Sequence, residues 1–169
     1  MSKPSVLAVI MDNIPELLRS RPCWVLWRMT YKGGRWTKVP HQPDGRHASS
    51  TDPATWSDFD TVVMAYLCDN FDGIGIALDG RLDAEGLALT GVDIDKVKGN
   101  AAQQARADEI ISLFRPYGAY VEWSPGGAGY RIFCRARPVV AGRSQGGVEL
   151  YTDKRYLTVT GNTVGGADA

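Results

Sequence analysis

Two aspartates, Asp93 and Asp95, lie within the largely apolar stretch TGVDIDKVKGN of residues 90–100. Alternate residues of a β-strand point to the same face, so we expect both carboxylates on one face, with Val92 and Ile94 on the other. Adjacent carboxylates repel each other unless they are solvated or share a cation, and Mg²⁺ or Mn²⁺ prefers such oxygen ligands. The pair therefore fits a metal site or a solvent-facing strand end, and the pattern alone favours the strand end.

A third acid, Glu149, strengthens the metal interpretation. It lies between Val148 and Leu150 in a predicted strand, where an inert face would carry an apolar or threonine-like residue. Phosphoryl transfer with two metal ions uses roughly three carboxylates to hold those ions. Asp93, Asp95 and Glu149 are accordingly the predicted catalytic and metal-binding residues, with Mg²⁺ or Mn²⁺ as the cofactor.

The stretch EWSPGGAGYRIF places three glycines and a proline between two predicted strands. Gly126 and Gly127 would let the backbone approach a ligand closely, while Ser124 and Arg131 would supply a hydroxyl and a fixed positive charge. This combination predicts a turn that binds a ligand. The alternative is an ordinary hairpin loop with a surface arginine.

The composition is typical of a soluble globular domain: 169 residues, 44% hydrophobic and 22% charged. No apolar run approaches the roughly 20 residues that span a bilayer, and no convincing signal-peptide cleavage site follows the N-terminus, so we expect a cytoplasmic protein with no membrane partner. The cysteines Cys23, Cys68 and Cys134 are far apart among apolar neighbours and are predicted to be buried free thiols. Their spacing does not indicate a zinc site.

The formal net charge is zero, which argues against nonspecific binding to long stretches of nucleic acid. The charges are nevertheless segregated. Residues 1–56 carry 8 basic and 4 acidic side chains, residues 57–123 carry 5 and 12, and residues 124–169 carry 6 and 3. Basic ends folded around an acidic middle could hold phosphates beside carboxylates, although inert surfaces also show such segregation.

The hydrophobic pattern and turn residues predict an alternation of helices and hairpins. A short helix is expected over residues 14–20, a helix opened by a Ser57–Asp60 capping box up to Cys68, and an amphipathic helix from residue 101 that stops at Pro116 and Gly118. Four hairpins are expected, over residues 23–40, 72–95, 119–136 and 147–161. There is no internal repeat, so the order predicts an α+β domain with a largely antiparallel sheet.

Several stretches in a fixed order resemble the bifunctional primase/polymerase domain of phage, plasmid and prophage replication proteins, within the archaeo-eukaryotic primase superfamily. The resemblance rests on the segments CWVLWR, KGGRWTKVPHQPDGRHASSTDPATW, FDGIGIAL, GVDIDKV, EWSPGGAGYRIF and GGVELYTDKRYLTVTG, and covers residues 14–162. It implies an RRM-like primase/polymerase catalytic core with flanking helices and a small N-terminal αβ lobe. Residues 1–13 would then be an N-terminal extension, and residues 163–169 a tail or the start of a linker.

The resemblance also implies roles for individual residues. The acid-x-acid motif of the family falls on Asp93 and Asp95, and its single acid on a strand falls on Glu149. Ser124 matches the serine of the nucleotide-binding motif, whereas Arg131 stands where a histidine is usual. An arginine can bind phosphate, so replacing the histidine by Arg131 is compatible with nucleotide binding. It is less compatible with a role that requires the side chain to gain and lose a proton.

Several further residues are weaker candidates. Lys38 and the segment 49–51 lie in stretches that recur in such domains and could reach triphosphate or template phosphates, although Lys38 also suits a solvated edge strand. Tyr156 could stack on the nucleotide sugar as a gate against the 2′-hydroxyl, although a packed aromatic explains it better. Four tryptophans suit core packing, with one exposed member able to stack a template base: Trp24, Trp27, Trp36 and Trp56.

The function implied is a template-directed nucleotidyltransferase, a DNA primase/DNA polymerase that joins an NTP or dNTP to a 3′-hydroxyl on a single-stranded DNA template or primer-template. Relatives commonly continue into a helical priming region and a helicase, so the chain is expected to be a fragment of a larger replication protein or a free-standing minimal domain. Two alternatives stay open. One is a non-catalytic nucleotide- or DNA-binding module with a retained metal site, and the other is a metal-dependent nuclease.

Overall fold

The structure is a computed structural model that describes residues 2–139 and 142–165. Three α-helices lie within these ranges: α1 (Glu16–Arg19), α2 (Phe59–Cys68) and α3 (Ala101–Phe114). The strands are β1 (Trp24–Lys32), β2 (Arg35–His41), β3 (Gly73–Asp79), β4 (Ala88–Ile94), β5 (Tyr120–Trp123), β6 (Tyr130–Ala136), β7 (Arg143–Gln145), β8 (Val148–Tyr151) and β9 (Asp153–Val159). Short 3₁₀ turns cover Met11–Asn13, Pro53–Thr55 and Arg115–Tyr117.

The strands form two antiparallel sheets. One has four strands in the order β2-β1-β3-β9, and the other has five in the order β5-β6-β4-β8-β7. All of the strand pairs in these sheets are antiparallel. The prediction of an α+β domain with antiparallel sheet is therefore confirmed.

Two of the four predicted hairpins form, and two do not. β1 pairs with β2 across Gly33 and Gly34, both of which have positive φ, and β5 pairs with β6. The hairpins predicted over residues 72–95 and 147–161 are wrong, because β3 and β9 belong to the four-stranded sheet while β4 and β8 belong to the other. Apolar alternation predicts that a segment is a strand but does not predict its partner, and both connections here cross between sheets.

The middle strands of the five-stranded sheet, β4 and β6, are largely buried on both faces. One face packs against α3 through a cluster that includes Val92, Ile132 and Ile111. The opposite face contributes Leu89 and Phe133 to a larger core shared with the four-stranded sheet and α2. Helix α3 thus packs on one face of the five-stranded sheet, and the four-stranded sheet packs on the opposite face.

Gly91 on β4 lies at a close approach of the two sheets. A Cβ at this position would overlap the Leu157 side chain on β9 and would come within 3.2 Å of Leu78 on β3. A larger residue would push the sheets apart. The glycine therefore fixes the spacing of β4, which carries Asp93, against the four-stranded sheet.

The helix boundaries follow local capping. Asp58 is the N-cap of α2 and accepts a hydrogen bond from the Thr61 N–H, so the cap predicted at Ser57 is wrong by one residue. Asn100 caps α3 in the same way, and the chain leaves the following 3₁₀ turn at Gly118 with φ of 66°, as the stop signal predicts. The first helix is shorter than expected, because Pro15 is its N-cap.

The segments that precede and follow the predicted domain contact it through backbone hydrogen bonds, and two of the three cysteines are buried. Leu7 donates from its backbone to Pro125, and Ile10 to Thr160, so the predicted N-terminal extension lies on the domain. In the predicted tail, Val164 donates to Val121, whereas residues 166–169 lie outside the described residues. Cys23 and Cys134 are buried free thiols as predicted, but Cys68 at the end of α2 is exposed.

None of the helices formed by the described residues combines the length and the apolar character that a membrane crossing requires.

Candidate active site

Four charged residues form one row across the five-stranded sheet. Asp93 on β4 lies opposite Arg131 on β6 and opposite Glu149 on β8, and Arg131 in turn lies opposite Glu122 on β5. Directly opposed residues of antiparallel strands point to the same face. The alternation of β4 and β6 puts this row on the side of Leu89 and Phe133, which faces the four-stranded sheet.

Asp93 and Arg131 form a buried ion pair through Oδ1 and a guanidinium nitrogen. Their side chains are only 13% and 7% exposed. Burial raises the pKa of Asp93 to about 6, the Arg131 charge opposes this rise, and the charges of Asp95 and Glu149 add to it. Two neighbouring carboxylates therefore act on the pKa of Asp93, and the Arg131 guanidinium only partly offsets the effect of burial.

Glu149 is held by residues that follow it along the chain. Its Oε2 accepts a hydrogen bond from Tyr151 Oη at 3.2 Å and pairs with the Arg155 guanidinium at 3.0 Å. The Arg155 guanidinium also lies over the Tyr151 ring, 4.7 Å from its centroid. These contacts fix the carboxylate beside the strand that carries Asp93.

Asp95 lies one residue beyond the end of β4. Its backbone N–H donates to the Gly147 carbonyl at 2.8 Å, while its side chain is exposed. As arranged, no three histidine, cysteine or acidic side chains of the described residues converge closely enough to hold a metal ion. Asp93 and Glu149 are each paired with an arginine.

An open cavity of about 440 Å³ lies beside the Asp93–Arg131 pair, between the two sheets. Five residues that the sequence singled out line it: Asp93, Arg131, Lys38, Tyr156 and Ser50 of the segment 49–51. The remaining lining residues include two further cations: Pro40, Lys154, Arg155, Leu157 and Thr158. The cavity is therefore rich in positive charge and has one buried carboxylate on its wall.

Lys38 and Tyr156 are brought together by the curvature of the four-stranded sheet. Tyr156 Oη on β9 donates to the Lys38 carbonyl on β2 at 2.5 Å, although β1 and β3 separate these strands in the sheet. Strands are about 4.8 Å apart, so a flat sheet would put β2 and β9 out of reach of one tyrosine. Burial, and then the nearby Arg131 charge, lower the pKa of Lys38, and burial raises that of Tyr156.

The glycine turn lies at the end of β4 rather than on the cavity wall. Ser124 Oγ accepts a hydrogen bond from Gly129 N–H at 3.1 Å, and Ser124 is buried. Gly126 is open to its surroundings, whereas a Cβ on Gly127 would lie 3.8 Å from Leu7 of the N-terminal segment. Of the residues in this motif, the structure brings Arg131 to the cavity, and a phosphate contact by the turn itself stays a prediction.

Glu122 is a buried acid that the sequence interpretation did not single out. Its carboxylate is fully buried and accepts hydrogen bonds of 2.8 Å from Thr160 N–H, Gly161 N–H and Tyr120 Oη. Burial outweighs these bonds and raises the pKa of Glu122 to about 7. An acid amid the apolar residues of β5 was the available signal, but its position opposite Arg131 depends on strand register.

The chain is similar to a DNA primase-polymerase of Nitratiruptor phage NrS-1. The two are 28% identical over 158 residues, which covers 86% of this chain and 20% of the phage protein. The chain therefore spans about a fifth of the length of this curated relative. No protein-family model matches the chain. The similarity confirms the resemblance to primase/polymerase domains on which the sequence interpretation rests.

Proposed function

We propose that this domain is the nucleotidyltransferase core of a DNA primase/polymerase, which joins an NTP or dNTP to a 3′-hydroxyl on a DNA template. One observation carries the proposal. Asp93 and Glu149 lie opposite each other on neighbouring strands, beside a cavity that Lys38, Lys154 and Arg155 make positive. Similarity to a phage protein named a DNA primase-polymerase supports it.

The donor chemistry fits Mg²⁺ or Mn²⁺. Asp93, Asp95 and Glu149 offer only carboxylate oxygens, and their mutual repulsion contributes to the raised pKa of Asp93. These three residues would hold the metal ions. When bound, the ions would activate the attacking hydroxyl and neutralise charge on the leaving pyrophosphate. The protein contributes a fixed strand pairing that keeps two of the donors on one face of the sheet.

The cations around the cavity suit a triphosphate. A volume of about 440 Å³ falls within the roughly 300–1,000 Å³ of small-molecule sites. Arg131 can bind phosphate in a bidentate manner, and Lys38, Lys154 and Arg155 supply further charge. Tyr156 lies on the same wall and would contact the sugar of the nucleotide. Ser124, Gly126 and Gly127 would approach its phosphates from the end of β4.

The fold can be related to this function element by element. We assign the five-stranded sheet with α3 as the RRM-like catalytic core, since Asp93 and Glu149 lie on its strands and Asp95 directly follows β4. The four-stranded sheet with α1 and α2 would be the small N-terminal αβ lobe, within a domain over residues 14–162. The domain would act on single-stranded DNA or a primer-template, alongside a helicase region or a separate helicase of a phage, prophage or plasmid.

A primer-extension assay with Mg²⁺ or Mn²⁺ tests the proposal. Asp93→Asn and Asp95→Asn should each abolish incorporation, because each removes a metal donor while keeping the side-chain shape. Asp108→Asn is the matched control, since Asp108 is exposed on α3, behind the sheet. Incorporation that survives in both site variants at the level of this control would refute the assignment.

A second candidate, a non-catalytic nucleotide-binding module, is favoured by the Asp93–Arg131 ion pair. Here a guanidinium already occupies the carboxylate that a metal ion would need. Equilibrium binding of a labelled dNTP together with extension assays separates the two candidates. Binding that depends on Arg131, with no incorporation under either metal, would favour the module over the enzyme.

A further inference from the structure

The β1–β2 hairpin extends beyond the sheet to which it belongs. β3 pairs with β1 only over Trp24–Trp27, and β2 is the edge strand of the sheet. The remaining part of β1 and the facing part of β2 pair only with each other, from Arg28 opposite Val39 to Lys32 opposite Arg35. The result is a two-stranded ribbon that ends in the Gly33–Gly34 turn.

The ribbon lies within the most basic stretch of the chain. Between Glu16 and Asp44 there are six basic residues and no acid: Arg19, Arg21, Arg28, Lys32, Arg35 and Lys38. Lys32 and Arg35 are exposed at the tip. Among the described residues, neither of them forms an ion pair. Their charge is therefore available to an anionic partner, although the whole chain is neutral.

One face of the ribbon carries an aromatic pair that leads towards the cavity. Tyr31 lies opposite Trp36 with ring centroids 5.3 Å apart, and Tyr31 is 49% exposed. Lys38 shares this face because it is two residues from Trp36, a separation of about 7 Å along a strand. Lys38 also lines the cavity beside Asp93. A ligand lying on the aromatic pair would thus be directed to the candidate site.

The indole N–H of Trp36 is a second observation at this face. Its Nε1 is buried and has no hydrogen-bond partner among the described residues. Buried donors usually have partners, and an unpaired one carries a cost in free energy. A cross-strand aromatic pair that only stabilises the hairpin explains the ring contact. It does not account for Lys32 and Arg35, which form no ion pair among the described residues.

We propose that this ribbon binds single-stranded DNA, with bases stacked on Tyr31 and Trp36 on one face. Lys32 and Arg35 are the next pair along the ribbon and project from the other face, so they would bind the phosphates where the strand crosses the exposed tip. Aromatic platforms beside basic side chains are the usual means of binding single strands without sequence preference. The proposal rests on the proposed function, since it names the surface that would hold the template as it enters the cavity at Lys38.

Fluorescence anisotropy of a labelled oligothymidine in EDTA measures this binding without metal or turnover. The double variant Lys32→Gln/Arg35→Gln should bind more weakly, and the slope of log K against log salt should fall in magnitude by about 1.4, because each phosphate contact contributes about 0.7 for single strands. Tyr31→Leu should weaken binding about tenfold through lost stacking, and Tyr31→Phe should retain it.

Arg81→Gln is the matched control. Arg81 is exposed and follows the C-terminal end of β3, whereas the ribbon begins at the N-terminal end of β3, where Gly73 lies opposite Trp27. Circular dichroism melting establishes that each variant is folded, and the tip variants alter only exposed side chains. An unchanged affinity and salt slope in the double variant, or a loss no larger than that of Arg81→Gln, would overturn the proposal. Equal affinities of the Leu and Phe variants at Tyr31 would overturn the stacking contact.

The two proposals fail in different ways. If the ribbon is wrong, the double variant binds DNA normally, whatever the extension assay shows. If the catalytic assignment is wrong, Asp93→Asn extends primers normally, while the effect of the ribbon variants on anisotropy in EDTA is unaffected.

Discussion

Removing the cation of the buried Asp93–Arg131 pair should cost far more stability than removing a similar cation near the surface. The change is Arg131→Met, which keeps the length of the aliphatic stem but leaves Asp93 charged and 13% exposed. Deleting one partner of a buried ion pair costs about 3–5 kcal/mol. For a chain of this size the melting temperature should then fall by about 10 °C.

The loss in Arg131→Met should also depend on pH. The pKa of Asp93 already lies near 6, and without the opposing guanidinium it must rise further. A carboxyl whose pKa is raised by folding stabilises the fold at low pH, and that contribution is lost as the pH rises through the folded pKa. The variant should therefore be close to wild type near pH 4 and most destabilised above pH 7.

Thermal and denaturant unfolding in EDTA, followed by circular dichroism from pH 4 to pH 8, measures both effects. Arg135→Met is the control, since Arg135 lies on the same strand and face but is 39% exposed and pairs with Asp83 and Glu85 near solvent. Its loss should be smaller and nearly independent of pH. A melting temperature of Arg131→Met equal to that of wild type at pH 7, or a loss of the same size at both ends of the range, would refute the reasoning.

Two further predictions concern the residues behind the site. The unfolding free energy of wild type relative to Glu122→Gln should be greatest below pH 4.5 and should fall by about 3 kcal/mol by pH 7, because burial raises the pKa of Glu122 from 4.5 to about 7 and each unit corresponds to about 1.4 kcal/mol. A difference that stays constant in urea titrations over this range would contradict that pKa. Gly91→Ala should cost about 1–3 kcal/mol by overpacking against Leu157, and combining it with Leu157→Ala should cost less than the sum of the single changes. Strict additivity in the same urea titrations would show that the sheets do not touch there.

Much of the local structure could be predicted from residue patterns. The alternation around Asp93 predicted a strand, the glycines at 33 and 34 predicted a hairpin, and Gly118 predicted the end of the third helix. These features depend on interactions between residues near in sequence. The two wrong hairpins depend on partners far away in the chain, which apolar alternation does not specify.

In the candidate site, too, the residue types could be predicted from the sequence, but their arrangement in space could not. The sequence alone determined which residues could bind a metal ion or phosphate, because the oxygen ligands and the cations are properties of residue types. Tertiary structure decided that Asp93 lies between Arg131 and Glu149, that Glu122 continues the row, and that Lys38 and Tyr156 meet across a curled sheet. Strand register and sheet curvature arise from packing over the whole domain, so no local stretch of sequence contains them.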